Sequence, residues 1–228
     1  MDDPKRLVAL SYDRIAERHA ESAARIRVEE RERYSARVIE LLPPGAAVLE
    51  LGCGTGGPTT EALAKSFQLT GVDISARSID LARRNVPTGV FLVADMTRLA
   101  FPPRSFHAVV AFYSIIHVPR DEQPALFARI AQWLRPDGVF LATLSSRNAP
   151  ADYEPDWLGV PMYWSGFDPA VTRRHIEDAG LAITSAAVET ADEDGEAISF
   201  LWVEARRPGS GSSSRSAAVR RTAESRGA

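Results

Sequence analysis

Along residues 5 to 42 apolar side chains recur among many Arg and Glu: Leu7, Leu10 and Ile15, then Ile26, Val28, Tyr34, Val38, Leu41 and Leu42. This spacing keeps one helical face apolar and predicts two helices with a break near Ala20 to Ala23. Pro43, Pro44 and Gly45 end the pattern and open a new unit. Short apolar runs then alternate with amphipathic segments: AAVLEL, a glycine-rich turn, a helix near Pro58 to Ser66, FQLTGVD, a helix over Ala76 to Asn85, and VFLVAD. FHAVVAFYS, a helix near Glu122 to Leu134, and GVFLATL continue the series. Strands this continuously apolar need burial on two sides, so the alternation predicts an α/β fold with a parallel sheet covered on both faces.

The last third changes character. APADYEPDWLGVPMYWSGFD, residues 149–168, is rich in Pro, Trp and Tyr without a clear period, and reads as an ordered insertion over a site. A helix over Pro169 to Ala179 follows, then LAITSAAVET and AISFLWVEA flank ADEDGE. Its Asp194-Gly195 pair is a hairpin signal, so an antiparallel pair should close the sheet. There is no internal repeat and no second core. The expected organisation is a helical cap over 1–43, one catalytic core over 44–206 with a lid insertion at 149–168, and a tail over 207–228.

Composition narrows the function classes. The 228 residues are 45% hydrophobic, enough for a full core. The longest apolar stretches, such as AVVAFYSII, fall well short of the roughly 20 residues that cross a bilayer, and MDDPKRLVAL has no apolar signal core. Cys53 is the single cysteine, which excludes an intrachain disulfide scaffold and a CxxC zinc knuckle. A cytoplasmic protein away from membranes is the expectation. Residues 206–228 hold six Arg and one Glu, net +5, leaving −8 on the other 205. The Ser/Gly/Arg-rich tail should be a disordered, solvated appendage. An acidic body is poorly suited to phosphate backbones, so nucleic acid is not the expected partner. His107 and His175 have no paired ligands, and no metal site is expected.

The strongest local signal is VLELGCGTGG, residues 48–57, between a strand and a helix. Gly52, Gly54 and Gly56 or Gly57 let the backbone turn tightly and approach a ligand. Asp73 ends the next strand, 21 residues after Gly52, where a carboxylate can accept both hydroxyls of a ribose. Asp95 stands in register behind it. Gly52, Gly54 and Gly57 also satisfy GxGxxG, which keeps an NAD(P)-dependent oxidoreductase in view.

The ordered motifs taken together resemble the class I S-adenosylmethionine-dependent methyltransferases of the small-molecule type, over about residues 7 to 205. VLELGCGTGG is similar to the family's first motif with Glu50 at its acidic position, GVDIS to the second, ADMTRLAFP to the third, and SFHAVVAFYSIIHV with WLRPDGVFLATL to the fourth and fifth strands. The resemblance implies a doubly wound, Rossmann-like seven-stranded sheet of order 3-2-1-4-5-7-6, its last strand antiparallel. It implies that Gly52, Cys53 and Gly54 face the methionine portion and ribose of S-adenosylmethionine, with Glu50 orienting the loop and Phe112 in the cofactor wall. Asp73 would hold the ribose and Ile74 pack on the adenine. Asp95 would accept from the adenine amino group while the Met96 amide donates to a ring nitrogen. Tyr12 in SYDRIAERHA matches a tyrosine that closes over the cofactor; the second aromatic of that motif is His19 here, a departure that favours a structural role. Cys53, inside the loop with no histidine beside it, is not expected to be a nucleophile.

Methyl transfer from a sulfonium is an in-line displacement, so alignment and exclusion of water can supply much of the rate. A base is needed only when the acceptor must lose a proton. His117, in FYSIIHVPRDE, is the candidate, with a capping or packing role as the alternative. Tyr113 and Ser114 are its weaker neighbours. Trp157, Met162, Tyr163, Trp164 and Phe167 would form an aromatic lid against the acceptor or, alternatively, plain core. The expected partner is a small organic acceptor, methylated on oxygen rather than nitrogen; a non-catalytic adenosyl-ligand protein on the same fold is a further alternative, and the oligomeric state stays open.

Overall fold

A computed structural model describes residues 3–193 and 195–209. The N-terminal segment forms α1 (Pro4–Ala23) and α2 (Val28–Leu41). Asp3 opens α1 by accepting from the Lys5 amide, with Pro4 at the first helical position, where its missing N–H is not needed. The helices part at residues 24–27, later than the expected break. Alanines at 20, 23 and 24 sustain the helix, and the bend falls on Arg27, which takes the left-handed conformation (φ 53) and is tied down by Glu30 and Glu193.

The core runs β1 (Ala47–Leu51), α3 (Pro58–Ser66), β2 (Gln68–Asp73), α4 (Ala76–Asn85), β3 (Val90–Val93), β4 (Phe106–Ala111), α5 (Gln123–Trp133) and β5 (Leu134–Ser145). It continues through β6 (Ala149–Trp157), β7 (Val160–Gly166), α6 (Pro169–Asp178), β8 (Ala182–Glu193) and β9 (Glu196–Arg206). Seven strands make one sheet in the order β3-β2-β1-β4-β5-β9-β8. Pairing is parallel from β3 to β5, and β9 is antiparallel to both neighbours. This is the doubly wound sheet expected, once the strands of the insertion are set aside. On one face Phe127, Ile130 and Ile176 pack over Leu49, Val109 and Phe140; on the other Val38, Leu63 and Phe67 cover Val48, Ala108 and Leu141.

Two local expectations meet the structure differently. Gly195 (φ 91) sits in the β8–β9 turn, while its neighbour Asp194 lies outside the described residues, as does the expected disordered tail from 210 onward. The insertion is not irregular: β6 and β7 form their own antiparallel hairpin, turning on Leu158 and Gly159, both at positive φ (51 and 83). Most of β6 is exposed and carries Pro150 and Pro155, so it shows no alternating pattern. Among the described residues no helix is long and apolar enough to cross a membrane.

Gly52 ties the sheet to the site. It has φ 77, and a Cβ there would overlap the Cβ of Ser114, whose hydroxyl donates to Leu51 O at 2.6 Å. Gly52→Ala is therefore expected to cost roughly 2–4 kcal/mol from backbone strain and overlap. Urea unfolding followed by circular dichroism reads this, and an unchanged midpoint would contradict the close approach.

Candidate active site

The strand order reverses between β1 and β4, and a crevice opens beyond the carboxyl ends of the strands. Its cavity of about 200 Å³ is more than ten times the roughly 10–15 Å³ that one water needs, so it accommodates a molecule rather than an ion. The glycine turn forms its floor. Gly52 N and Cys53 N both donate to Val72 O (2.7 and 3.1 Å), binding the turn to the end of β2. A Cβ at Gly54 would meet no atom within 4 Å, so this part of the loop faces open space. Cys53 is buried among Ile79, Ala82, Val86 and Phe91, and burial pushes its thiol well up, which removes it as a nucleophile at neutral pH.

Two acids face this floor without a cation. Asp73 accepts from Gly54 N and Ser75 N, one bond to each oxygen at 2.9 Å, leaving further lone pairs. Burial raises its acid above the ordinary range, against those backbone bonds. Glu50 accepts from the Thr60 hydroxyl at 3.1 Å through one oxygen; the other is buried and unpartnered. Burial pushes Glu50 up to about 7, and the Asp73 charge adds to that.

Asp95 stands apart electrostatically. Burial works against its charge, but bonds from Lys5 and Thr97 outweigh it and hold the acid below its usual range. The Lys5 ammonium lies 2.8 Å from Asp95, 2.7 Å from Glu122 and 2.9 Å from the Thr97 hydroxyl, latching the start of α1 to the rim. Asp13 on the same helix accepts from Ser75 Oγ (2.7 Å) and Arg77 N (3.0 Å) at the start of α4. Neither contact is visible in sequence, because each joins segments more than sixty residues apart.

The far wall is aromatic. Tyr12 and His117 both line it, Tyr12 Oη lying 2.9 Å from His117 Nε2, while His117 Nδ1 is 2.8 Å from Tyr163 O. A carbonyl only accepts, so Nδ1 carries the hydrogen and Nε2 takes the bond from the Tyr12 hydroxyl. Burial lowers His117 to about 4, keeping it neutral at physiological pH. Both ring nitrogens of His117 are thus engaged, one by Tyr12 and one by Tyr163. His19 lies edge-on to Tyr12 at 5.0 Å and also lines the cavity. Ile74, Met96, Phe112, Tyr113 and Ser114 complete the predicted residues on the wall.

Trp157, Met162, Tyr163 and Trp164 are not among the residues that line this cavity. They form a layer behind it: Met162 and Tyr163 pack with Val8, Tyr12 and Ile74, Trp157 lies against Tyr12 and His19, and Trp164 tilts over His117 at 4.4 Å. The β6–β7 hairpin, paired through its backbone, thus packs against α1. Phe167 packs against His175 and beneath Arg120, outside the cavity.

Residues 48–138 match the family model described as a methyltransferase domain. Phosphoethanolamine N-methyltransferase 3 of Arabidopsis thaliana is 34% identical over 123 residues, 51% of this chain and 24% of the relative. A fatty-acid O-methyltransferase of Mycolicibacterium smegmatis is 35% identical over 119 residues, 50% of this chain and 41% of its own length. The chain thus spans less than half of these curated relatives. Magnesium protoporphyrin IX methyltransferase of Synechocystis PCC 6803, solved with bound S-adenosylmethionine, shares the fold at a TM-score of 0.68 and 17% identity, over 91% of this chain and 98% of that one.

Because Glu50 keeps its proton more readily folded (about 7) than unfolded (4.5), its contribution is present at low pH and lost as pH rises through that interval. In the ligand-free protein Glu50→Gln should remove roughly 3 kcal/mol of that decline. Unfolding free energies at several pH values from about 5 to 8 test this, and an unaltered slope would contradict the burial of an unpaired acid.

Proposed function

We propose, from a chain whose residues 48–138 belong to the class I S-adenosylmethionine-dependent methyltransferase family, that the protein moves a methyl group from S-adenosylmethionine to a small organic acceptor. The observation that carries this is the cradle made by Glu50, the open side of Gly54, and Asp73. Its donor set fits the methyl donor: the unpartnered Glu50 oxygen suits an ammonium, and the spare lone pairs of Asp73 suit two ribose hydroxyls. The same acids disfavour a nicotinamide dinucleotide, whose pyrophosphate would face the buried Glu50 beneath the turn. Ile74 and Met96 would flank the adenine, with Asp95 accepting from its amino group beside Lys5, and Phe112 and the backbone of Cys53 would close the methionyl end.

When bound, S-adenosylmethionine supplies a methyl carbon already activated by its sulfonium. The chain's task is then to align the acceptor and exclude water. The segment 1–43 serves as a cap, with Tyr12 and His19 closing the cavity and Tyr113 on the acceptor side. His117 acts as a positioning residue, holding the Tyr12 hydroxyl. Oxygen is the favoured acceptor atom because the Tyr12 oxygen, with its own hydrogen held by His117, is free to accept from an acceptor hydroxyl group. The lone, buried Cys53 supports a reducing, cytoplasmic setting.

Calorimetric titration should show S-adenosylhomocysteine binding, and Asp73→Ala should weaken it by roughly 1.5–3 kcal/mol, as expected for hydrogen bonds to a charged group. No heat at millimolar ligand would overturn the assignment. Tyr12→Phe and His117→Ala should each lower turnover of a hydroxyl acceptor by about 10²-fold, with the double variant no worse than either. The wild-type rate should be flat from pH 6 to 8, since His117 titrates near 4. Full activity in Tyr12→Phe would break the proposed link.

A further inference from the structure

Lys5 is a buried cation in the first turn of α1, and every hydrogen of its ammonium is in use. It donates to Glu122 Oε2 at 2.7 Å and to the Thr97 hydroxyl at 2.9 Å, and it pairs with Asp95 Oδ2 at 2.8 Å. An ammonium has three donors, so none is left for a ligand. The Thr97 hydroxyl passes its own hydrogen to Asp95 Oδ1 at 2.8 Å, and the Thr97 amide donates to the same oxygen at 2.9 Å. Oδ1 is thus filled, and Oδ2, the oxygen facing Lys5, is the one with a lone pair to spare. Burial works against the Lys5 charge, but Asp95 and Glu122 outweigh it and raise its pKa, while the Asp95 acid is held low, as a tight ion pair requires.

Asp95 and Glu122 lie against one and the same nitrogen, so without its charge they would face each other as like charges. Arg98 Nε stands 3.6 Å from Asp95 Oδ2 on a side chain that is 79% exposed, and would draw the carboxylate outward once Lys5 had left. Lys5 also shares a helical face with Val8, Tyr12 and His19, all of which line the cavity. The cation that fixes Asp95 therefore sits on the face of α1 that roofs the site. Lys5 itself precedes the motifs that carry the family resemblance.

We propose that Lys5 is a positioning residue for the methyl donor: it aims Asp95 Oδ2 at the 6-amino group of adenine, so that recognition of the base requires the closed cap. This deepens the methyltransferase reading and rests on it. The test is a competition of adenosine and of purine riboside, which differ in the 6-amino group alone, against bound S-adenosylhomocysteine. Wild type should favour adenosine by about tenfold or more, the range of one hydrogen bond to a charged group. Lys5→Met should shrink that ratio to about twofold or less, whereas Lys5→Arg, which can still span both acids, should keep most of it. A cap that is merely loosened would weaken both nucleosides alike and leave the ratio unchanged. Glu122→Gln acts from outside the cavity and should shrink the ratio part of the way; it stands in if Lys5→Met does not fold.

Absence of an adenosine preference in wild type, or an undiminished preference in folded Lys5→Met, would overturn the proposal. If wild type binds neither nucleoside nor S-adenosylhomocysteine, the donor reading fails and the adenine contact fails with it. Hydrogen exchange of the ligand-free protein then still decides whether Lys5 fixes the cap. Lys5→Met should speed exchange in the first two turns of α1 by roughly tenfold, and unchanged exchange would overturn that role as well.

Discussion

Glu50, buried, and Asp73, partly buried, lie at the carboxyl ends of adjacent parallel strands without a cation beside them. Taking a carboxylate out of water costs several kcal/mol unless hydrogen bonds or counter-charge replace the lost hydration. Asp73 recovers part of this from two backbone amides, one of which belongs to the glycine turn, so the turn and the acid hold each other in place. Glu50 recovers less, with a single hydroxyl on one oxygen and nothing on the other. The sheet beneath them, with Val48, Leu49, Leu51 and Val109 fully enclosed, can sustain that local deficit. A ligand bringing an ammonium and two hydroxyls, as proposed for the methyl donor, would offset that deficit.

The cap is organised around the same edge. Lys5 and Asp13 fasten α1 to the ends of β3 and the start of α4, Ser11 donates to Pro161 O at 2.6 Å, and Arg18 donates to Leu158 O at 2.6 Å. One face of α1 thus closes the cavity with Tyr12 and His19 while its polar contacts grip the rim on both sides. The β6–β7 hairpin stiffens this from behind, and its Tyr163 carbonyl fixes the tautomer of His117. Trp157 and Trp164 of the insertion pack against Tyr12 and His117, two residues of the cavity wall.

What could be read from the chain was local. Period, turn residues and the spacing from Gly52 to Asp73 specify the alternating elements, the strand ends and the floor of the site, because each is decided within a few residues or one strand–helix–strand unit. The hairpin at 149–166 was obscured by its prolines and its exposed outer strand, which erase the two-residue period. The bend between α1 and α2 lacked Gly or Pro and depended on Arg27 finding Glu193 far along the chain. Nothing in the sequence singles out Lys5, whose partners Asp95 and Glu122 lie far along the chain.

A crystal structure with S-adenosylhomocysteine bound would test the account at its centre. The ribose hydroxyls should lie within hydrogen-bonding distance of both Asp73 oxygens, with the amino group toward Glu50 and the adenine between Ile74 and Met96. A ligand seated elsewhere, or one that leaves Asp73 and Glu50 facing no polar group, would contradict it.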